Sequence, residues 1–195
     1  MTFADFQFIY DFTLIEKAVQ SLFVAAGADF IAPLDDNDPA REQWTAGAGN
    51  IAFYTAFEVL TFQQCRPRVF IGLHAVNAVP GCYALDANGN LREKAWRGQM
   101  RFGIITEPNY TTHTALRSRV LAIIPQVLGQ IAADNSTFAT TGINALLTYH
   151  QVSEFFAKDI STSITPTEGN YQSAITVELA FGVNPTAWPA GMIAQ

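Results

Sequence analysis

Three histidines, two cysteines and a scatter of carboxylates are the side chains in this 195-residue chain that could carry chemistry. His74 sits in a strand-like run, "VFIGLHAV", on its less apolar side. His113 falls in the first turn of a helical stretch, and His150 follows Tyr149. No two of them share a metal-ligand spacing, so a metal site would have to assemble from distant positions. Cys65 and Cys82 lie seventeen residues apart without a CxxC pattern. They read as buried thiols, a disulfide being the lesser alternative. There is no GxSxG elbow and no phosphate-cradling GxxxxGK or GxGxxG. Glu58, Glu154 and Glu178 lie in strand-like segments, where most carboxylates decorate a solvated face; a glycosidase pair has no further support. Asp35, Asp36 and Asp38 resemble half a calcium loop, but the remaining ligands, including a properly spaced Glu, are missing. No metal and no cofactor is expected, and no catalytic residue is assigned.

The elements that would position these groups alternate between helix and strand. "DFTLIEKAVQSLFVAAG" (Asp11 to Gly27) repeats apolar residues at three and four and predicts a first helix, with Asp11 or Thr13 as its cap and Gly27 at its end. Residues 31–50 are rich in Pro, Gly, Asp and Asn and predict a long acidic loop. Three strands follow, in "NIAFYTAFEVLTFQQ", "RVFIGLHAVNA" and "KAWRGQMRFGIITE". The third alternates Trp96, Met100, Phe102 and Ile104 against Arg97, Gln99 and Arg101, with Gly98 on the apolar side. Between the second and third strands, Asn88-Gly89 is a hairpin signal. "TTHTALRSRVLAIIPQVLGQIAAD" predicts a second helix capped by Thr111 or Thr112, with Pro125 inside it. "INALLTYHQVSEFFAKDIST" is ambiguous and leans to strand around Leu146 to Val152. A closing hairpin has "DISTSIT" as one arm, Pro166 to Asn170 as the turn, and Tyr171 to Phe181 as the other arm. In that last strand Tyr171, Ser173, Ile175, Val177, Leu179 and Phe181 face one way, and Gln172, Ala174, Thr176, Glu178 and Ala180 the other. The order predicts a single α+β domain: an antiparallel sheet with two main helices on one face.

Composition narrows the class. Hydrophobic residues make up 49% of the chain and charged ones 14%, enough apolar matter for a real core and fewer charges than usual. Such a chain either hides surface in an assembly or is a compact monomer rich in neutral polar residues. The net charge of −6 disfavours gripping nucleic acid, since phosphate contacts need Lys and Arg. The charge is unevenly spread: residues 1–62 carry −7, 63–119 carry +5 and 120–195 carry −4. A positive face of one copy could therefore meet a negative face of the next, unless folding mixes the blocks. No signal peptide or apolar run of membrane-spanning length is visible, so a cytoplasmic site of synthesis and no membrane partner are expected.

The element order resembles the tail terminator and tail-completion (neck) proteins of long-tailed bacteriophages. The resemblance is best from His113 to Pro189, through "HTALRSRVLAIIPQV", "LLTYHQVSE" and "EGNYQSAITVELAFGVNPTAWP", and the first helix also fits. The chain departs from it in length and in the acidic loop from Pro33 to Gly49. The resemblance implies a structural virion protein and not an enzyme: a homohexameric ring that ends the tail tube and joins it to the head–tail connector. Tail tube and connector proteins would be its partners, and DNA would pass through without specific binding. In that setting Asp35, Asp36 and Asp38 would reach the lumen or a neighbouring ring, while Arg97, Arg101, Tyr171, Gln172, Thr176 and Glu178 would lie at subunit contacts. Another head–tail connector or tail component is one alternative. A small β-rich hydrolase or carbohydrate-binding module is another.

Overall fold

The computed structural model describes residues 9–25, 52–55, 68–86, 88–106, 110–128, 142–160, 165–167, 170–184 and 193–194. Helix α1 (Thr13–Ala25) is followed by strands β1 (Ala52–Thr55), β2 (Arg68–Ala78), β3 (Tyr83–Leu85), β4 (Leu91–Glu93) and β5 (Ala95–Thr106). Helix α2 (Tyr110–Leu128), a 3-10 turn (Gly142–Ala145), and strands β6 (His150–Ile160), β7 (Thr165–Thr167), β8 (Asn170–Val183) and β9 (Ile193–Ala194) complete the order.

The main sheet runs β1-β2-β5-β8-β6, with β7 also paired to β8. Its spine is the antiparallel pair β5–β8, in unbroken register from Ala95↔Gly182 to Thr106↔Tyr171. Both strands alternate apolar and polar residues, so pairing them in register stacks one apolar face on the other. Trp96, Met100, Phe102 and Ile104 of β5 and Ile175, Val177, Leu179 and Phe181 of β8 are all buried. Both helices cover that face. Ile15, Val19 and Phe23 of α1 and Leu116, Val120 and Ile124 of α2 recur every four residues and join the same core. The Phe23 ring meets Phe53 of β1 and Phe102 of β5 at centroid distances of 5.6 and 5.3 Å. This is the α+β architecture expected from the sequence.

Several details differ from the expectation. The β1–β2 pair is parallel, Ala52↔Arg68 to Thr55↔Ile71, so the sheet is mixed though mostly antiparallel. Helix α2 starts at Tyr110, which puts Thr111 and Thr112 inside its first turn. The start of α1 is held by Asp11, whose Oδ1 accepts from the Thr13 amide and hydroxyl. The strand leaned to at Leu146 begins at His150, after the 3-10 turn. In the closing hairpin Pro166, Thr167 and Asn170, expected in the turn, belong to the paired strands, Pro166 opposite Tyr171 and Thr167 opposite Asn170. A second sheet, β4-β3-β9, is small. Its β3–β4 hairpin turns at Asn88-Gly89 as expected, with Gly89 at φ 77°. Asp86 organises that turn by accepting from the amides of Asn88 and Asn90 and from Arg92. Those bonds, the Asn90 amide first, hold its carboxyl down at about 2.

The β2–β5 ladder breaks between His74 and Asn77. There Ala75 adopts φ 52°, a left-handed conformation that costs a residue with a Cβ about 1–2 kcal/mol. The bulge turns Val76 and Leu73 over Gly98. A Cβ on Gly98 would stand 2.8 Å from Leu73 Cδ1 and 3.3 Å from both Val76 Cγ2 and Phe181 Cε1.

Candidate functional site

Among the described residues the helices pack on one face of the sheet only, and alternation decides which side chains reach the other, the open face. On β5 these are Arg97, Gln99 and Arg101; on β8 they are Gln172, Ala174, Thr176 and Glu178. Register brings them together in pairs: Arg97↔Ala180, Gln99↔Glu178, Arg101↔Thr176 and Ile105↔Gln172. Arg68 and His74 of β2 join the same face beside Ile105 and Gln99. Glu154 of β6 joins it beside Ala180. Among the described residues, then, the β2–β5 half of this face carries Arg68, Arg97 and Arg101, and the β8–β6 half carries Glu154 and Glu178.

Arg97 and Glu178 form an ion pair between the two halves. Arg97 Nη1 lies 3.6 Å from Glu178 Oε1, with the arginine side chain 59% exposed and the glutamate 17%. At that distance and exposure the pair adds little to stability, and the guanidinium stays in contact with water. Arg97 is also a ridge between two hollows. One, of about 430 Å³, is walled by Asn77, Pro80, Gln99 and Glu178. The other, of about 330 Å³, is walled by Gln151, Ser153 and Glu154 and floored by Ala180 and Gly182. The small floor residues create the second hollow. A Cβ on Gly182 would approach the Lys94 carbonyl oxygen to 3.0 Å.

Of the residues assigned to a subunit contact from the sequence, Arg97, Arg101, Gln172, Thr176 and Glu178 share this face. Tyr171 does not: it pairs with Thr106, and its ring lies edge-on to His113 at 6.2 Å on the helix-covered side. Asp35, Asp36 and Asp38 lie outside the described residues, as do Cys65 and Glu58. Cys82 is a free thiol, half-buried. Arg68, His74 and Glu154 were not read from the sequence as members of the patch. β2 does not alternate cleanly past Leu73, and β6 carries register shifts between Val152 and Glu154 and between Ala157 and Asp159.

The histidines are dispersed. His74 is exposed on the open face. His113 is fully buried: its Nδ1 lies 2.9 Å from Thr106 Oγ1 and its Nε2 2.9 Å from Ser173 Oγ. A serine against an imidazole is the contact of a nucleophile with its base. Here, however, a hydroxyl stands where an orienting carboxylate would, and all three groups are buried. What the trio does is tie α2 to β5 and β8. Burial, helped by the charge of Arg117, pushes the His113 pKa down to about 4. His150 donates from Nε2 to the Ile9 carbonyl at 2.7 Å, inside a cage of Phe12, Trp96 and Phe181. Its pKa is also lowered by burial, partly opposed by the Ile9 bond and by Asp11. A third hollow, about 310 Å³, lies between α1 and residues 146–150 and is lined by Leu14, Lys17, Leu147 and His150. Among the described residues no three His, Cys, Asp or Glu side chains cluster closely enough to hold a metal ion. No helix among them is long and apolar enough to cross a membrane.

No family model matches this chain, and no curated protein matches it.

Proposed function

We propose that this protein is a structural subunit of a bacteriophage neck. Six copies form a ring that terminates the tail tube, joins it to the head connector and leaves a channel for DNA. The observation that carries this reading is the open sheet face, which bears cations on one half and carboxylates on the other. A ring of identical subunits closes by head-to-tail contacts between two different surfaces, and opposite charges specify which surface meets which. The order of elements supports the same reading: a helix, a run of strands, a second helix and a closing hairpin, as in the tail terminator proteins that the sequence resembles. β6 adds an 11-residue strand at the border of the sheet, where a neighbour could dock. The net charge of −6 suits a channel through which DNA slides without adhering.

Electron microscopy of particles containing the protein tests this reading. A sixfold ring at the junction of tail and head is the expected image. Particles that lack the protein, together with turnover of an ester or glycoside by the purified chain, would replace the structural reading with the hydrolase one.

A further inference from the structure

We infer that the hollow between α1 and residues 146–150 binds a medium-chain carboxylate, its apolar tail among the leucines and its head on Lys17. The inference goes beyond the neck reading and does not depend on it. This hollow lies on the helix side of the sheet and uses none of the charged residues of the open face.

One stripe of α1 builds half of the wall. Leu14, Lys17, Ala18 and Ser21 recur at three and four, which puts them on one side of the helix. Leu146 and Leu147, directly after the 3-10 turn, supply the facing apolar wall. Ala18 and Leu147 are buried, but Leu146 keeps 51% of its surface in water. An apolar tail in the hollow would cover that surface, and burial of such surface is what drives binding. The volume, about 310 Å³, falls at the small end of the range of small-molecule sites, about 300–1,000 Å³. The head group is chosen by charge. Lys17 is the one charged residue on the lining, and it is exposed. Among the described residues no carboxylate pairs with it. Its neighbour Glu16 is buried and bonded to the Leu73 amide. His150, which also lines the hollow, is held neutral by burial. A lysine stem lies along apolar surface while its ammonium stays in water, so Lys17 can meet a carboxylate at the edge of the hollow. An amine would be repelled there. A phosphate would call for more cations and donors than one lysine supplies.

The test titrates the full chain with octanoate, octanol and octylamine at neutral pH and low salt. Binding is read from NMR shifts, with circular dichroism confirming that each variant is folded. The wild type should bind octanoate with a dissociation constant on the order of 1 mM, as so small a ligand allows. Octanol should bind more weakly and octylamine most weakly. Lys17→Glu changes an exposed side chain. It should weaken octanoate by about threefold or more, the scale of an exposed ion pair, and reverse the order in favour of octylamine. Leu146→Ser removes apolar wall and should weaken all three alike. Octanoate that does not bind the wild type overturns the inference. So does binding without a preference among the three heads, an order that Lys17→Glu leaves unchanged, or a Leu146→Ser chain that binds as the wild type does. The titration and the particle images fail independently. A ring in particles without octanoate binding keeps the neck role and discards this site; binding without a ring does the reverse.

Discussion

His113 is a buried side chain that ties three elements together. Its two ring nitrogens are matched to Thr106 and Ser173, so removing it takes one partner from each of two buried hydroxyls. His113→Phe should cost about 1–3 kcal/mol from the loss of these buried hydrogen bonds, read from urea unfolding. The same burial makes stability depend on pH. With its folded pKa near 4 against an ordinary 6.5, His113 binds its proton more readily in the unfolded chain. Its contribution is therefore intact above 6.5 and is lost as pH falls from 6.5 towards 4. Glu16 works in the opposite sense: burial raises its pKa, so its contribution weakens as pH rises above the usual carboxylate range. Comparing the wild type with His113→Gln cancels Glu16 and His150, which both chains share. Relative to the variant, the wild type should lose stability on acidification through that window; a flat difference would contradict the assignment.

At the scale of elements, the sheet and α1 meet where the ladder is irregular. Glu16 is buried in α1 and its Oε1 accepts from the Leu73 amide at 2.6 Å, one residue before the β2 bulge. A helix carboxyl thus satisfies a strand amide that would otherwise be buried without a partner. Glu16→Gln keeps an acceptor and should be tolerated. Glu16→Leu leaves the amide unpaired and should cost about 1–3 kcal/mol in the same unfolding experiment. The bulge offers a second, opposite test. Ala75→Gly relieves a left-handed alanine and should stabilise the chain by about 1 kcal/mol at most, the entropy of glycine offsetting part of the gain. Gly98→Ala should cost about 1–3 kcal/mol, because Leu73, Val76 and Phe181 already occupy the space above it. Both follow from one local event, the turning of Val76 over β5.

For the whole molecule the decisive property is the division of one face into a basic and an acidic half. An assembly held by such a face weakens with salt, because exposed charges are screened beyond about 8 Å at physiological ionic strength. Raising sodium chloride from 50 to 500 mM should shift the wild-type protein towards monomer in sedimentation experiments. An assembly that tightens with salt would point to apolar contacts elsewhere.

The period of side chains along a strand can be read without a partner. For this reason β5 and β8, the two helices and the Asn88-Gly89 hairpin were all visible in the amino-acid order, and with them the α+β class. The placement of Arg97, Arg101, Thr176 and Glu178 on polar strand faces was visible too. Which strands lie side by side was not, because pairing depends on contacts between residues far apart in the chain. Only the folded sheet puts Gln99 beside Glu178, sets the Tyr171 ring against His113 of α2, runs β1 parallel to β2 and brings Glu154 across β8 to the rim of the Arg97 hollow. The bulges in β2 and β6 erase the alternation that a sequence reader relies on, and those two strands supply the members of the patch that the sequence left unassigned. Local periodicity fixed the faces; long-range register decided what each face holds.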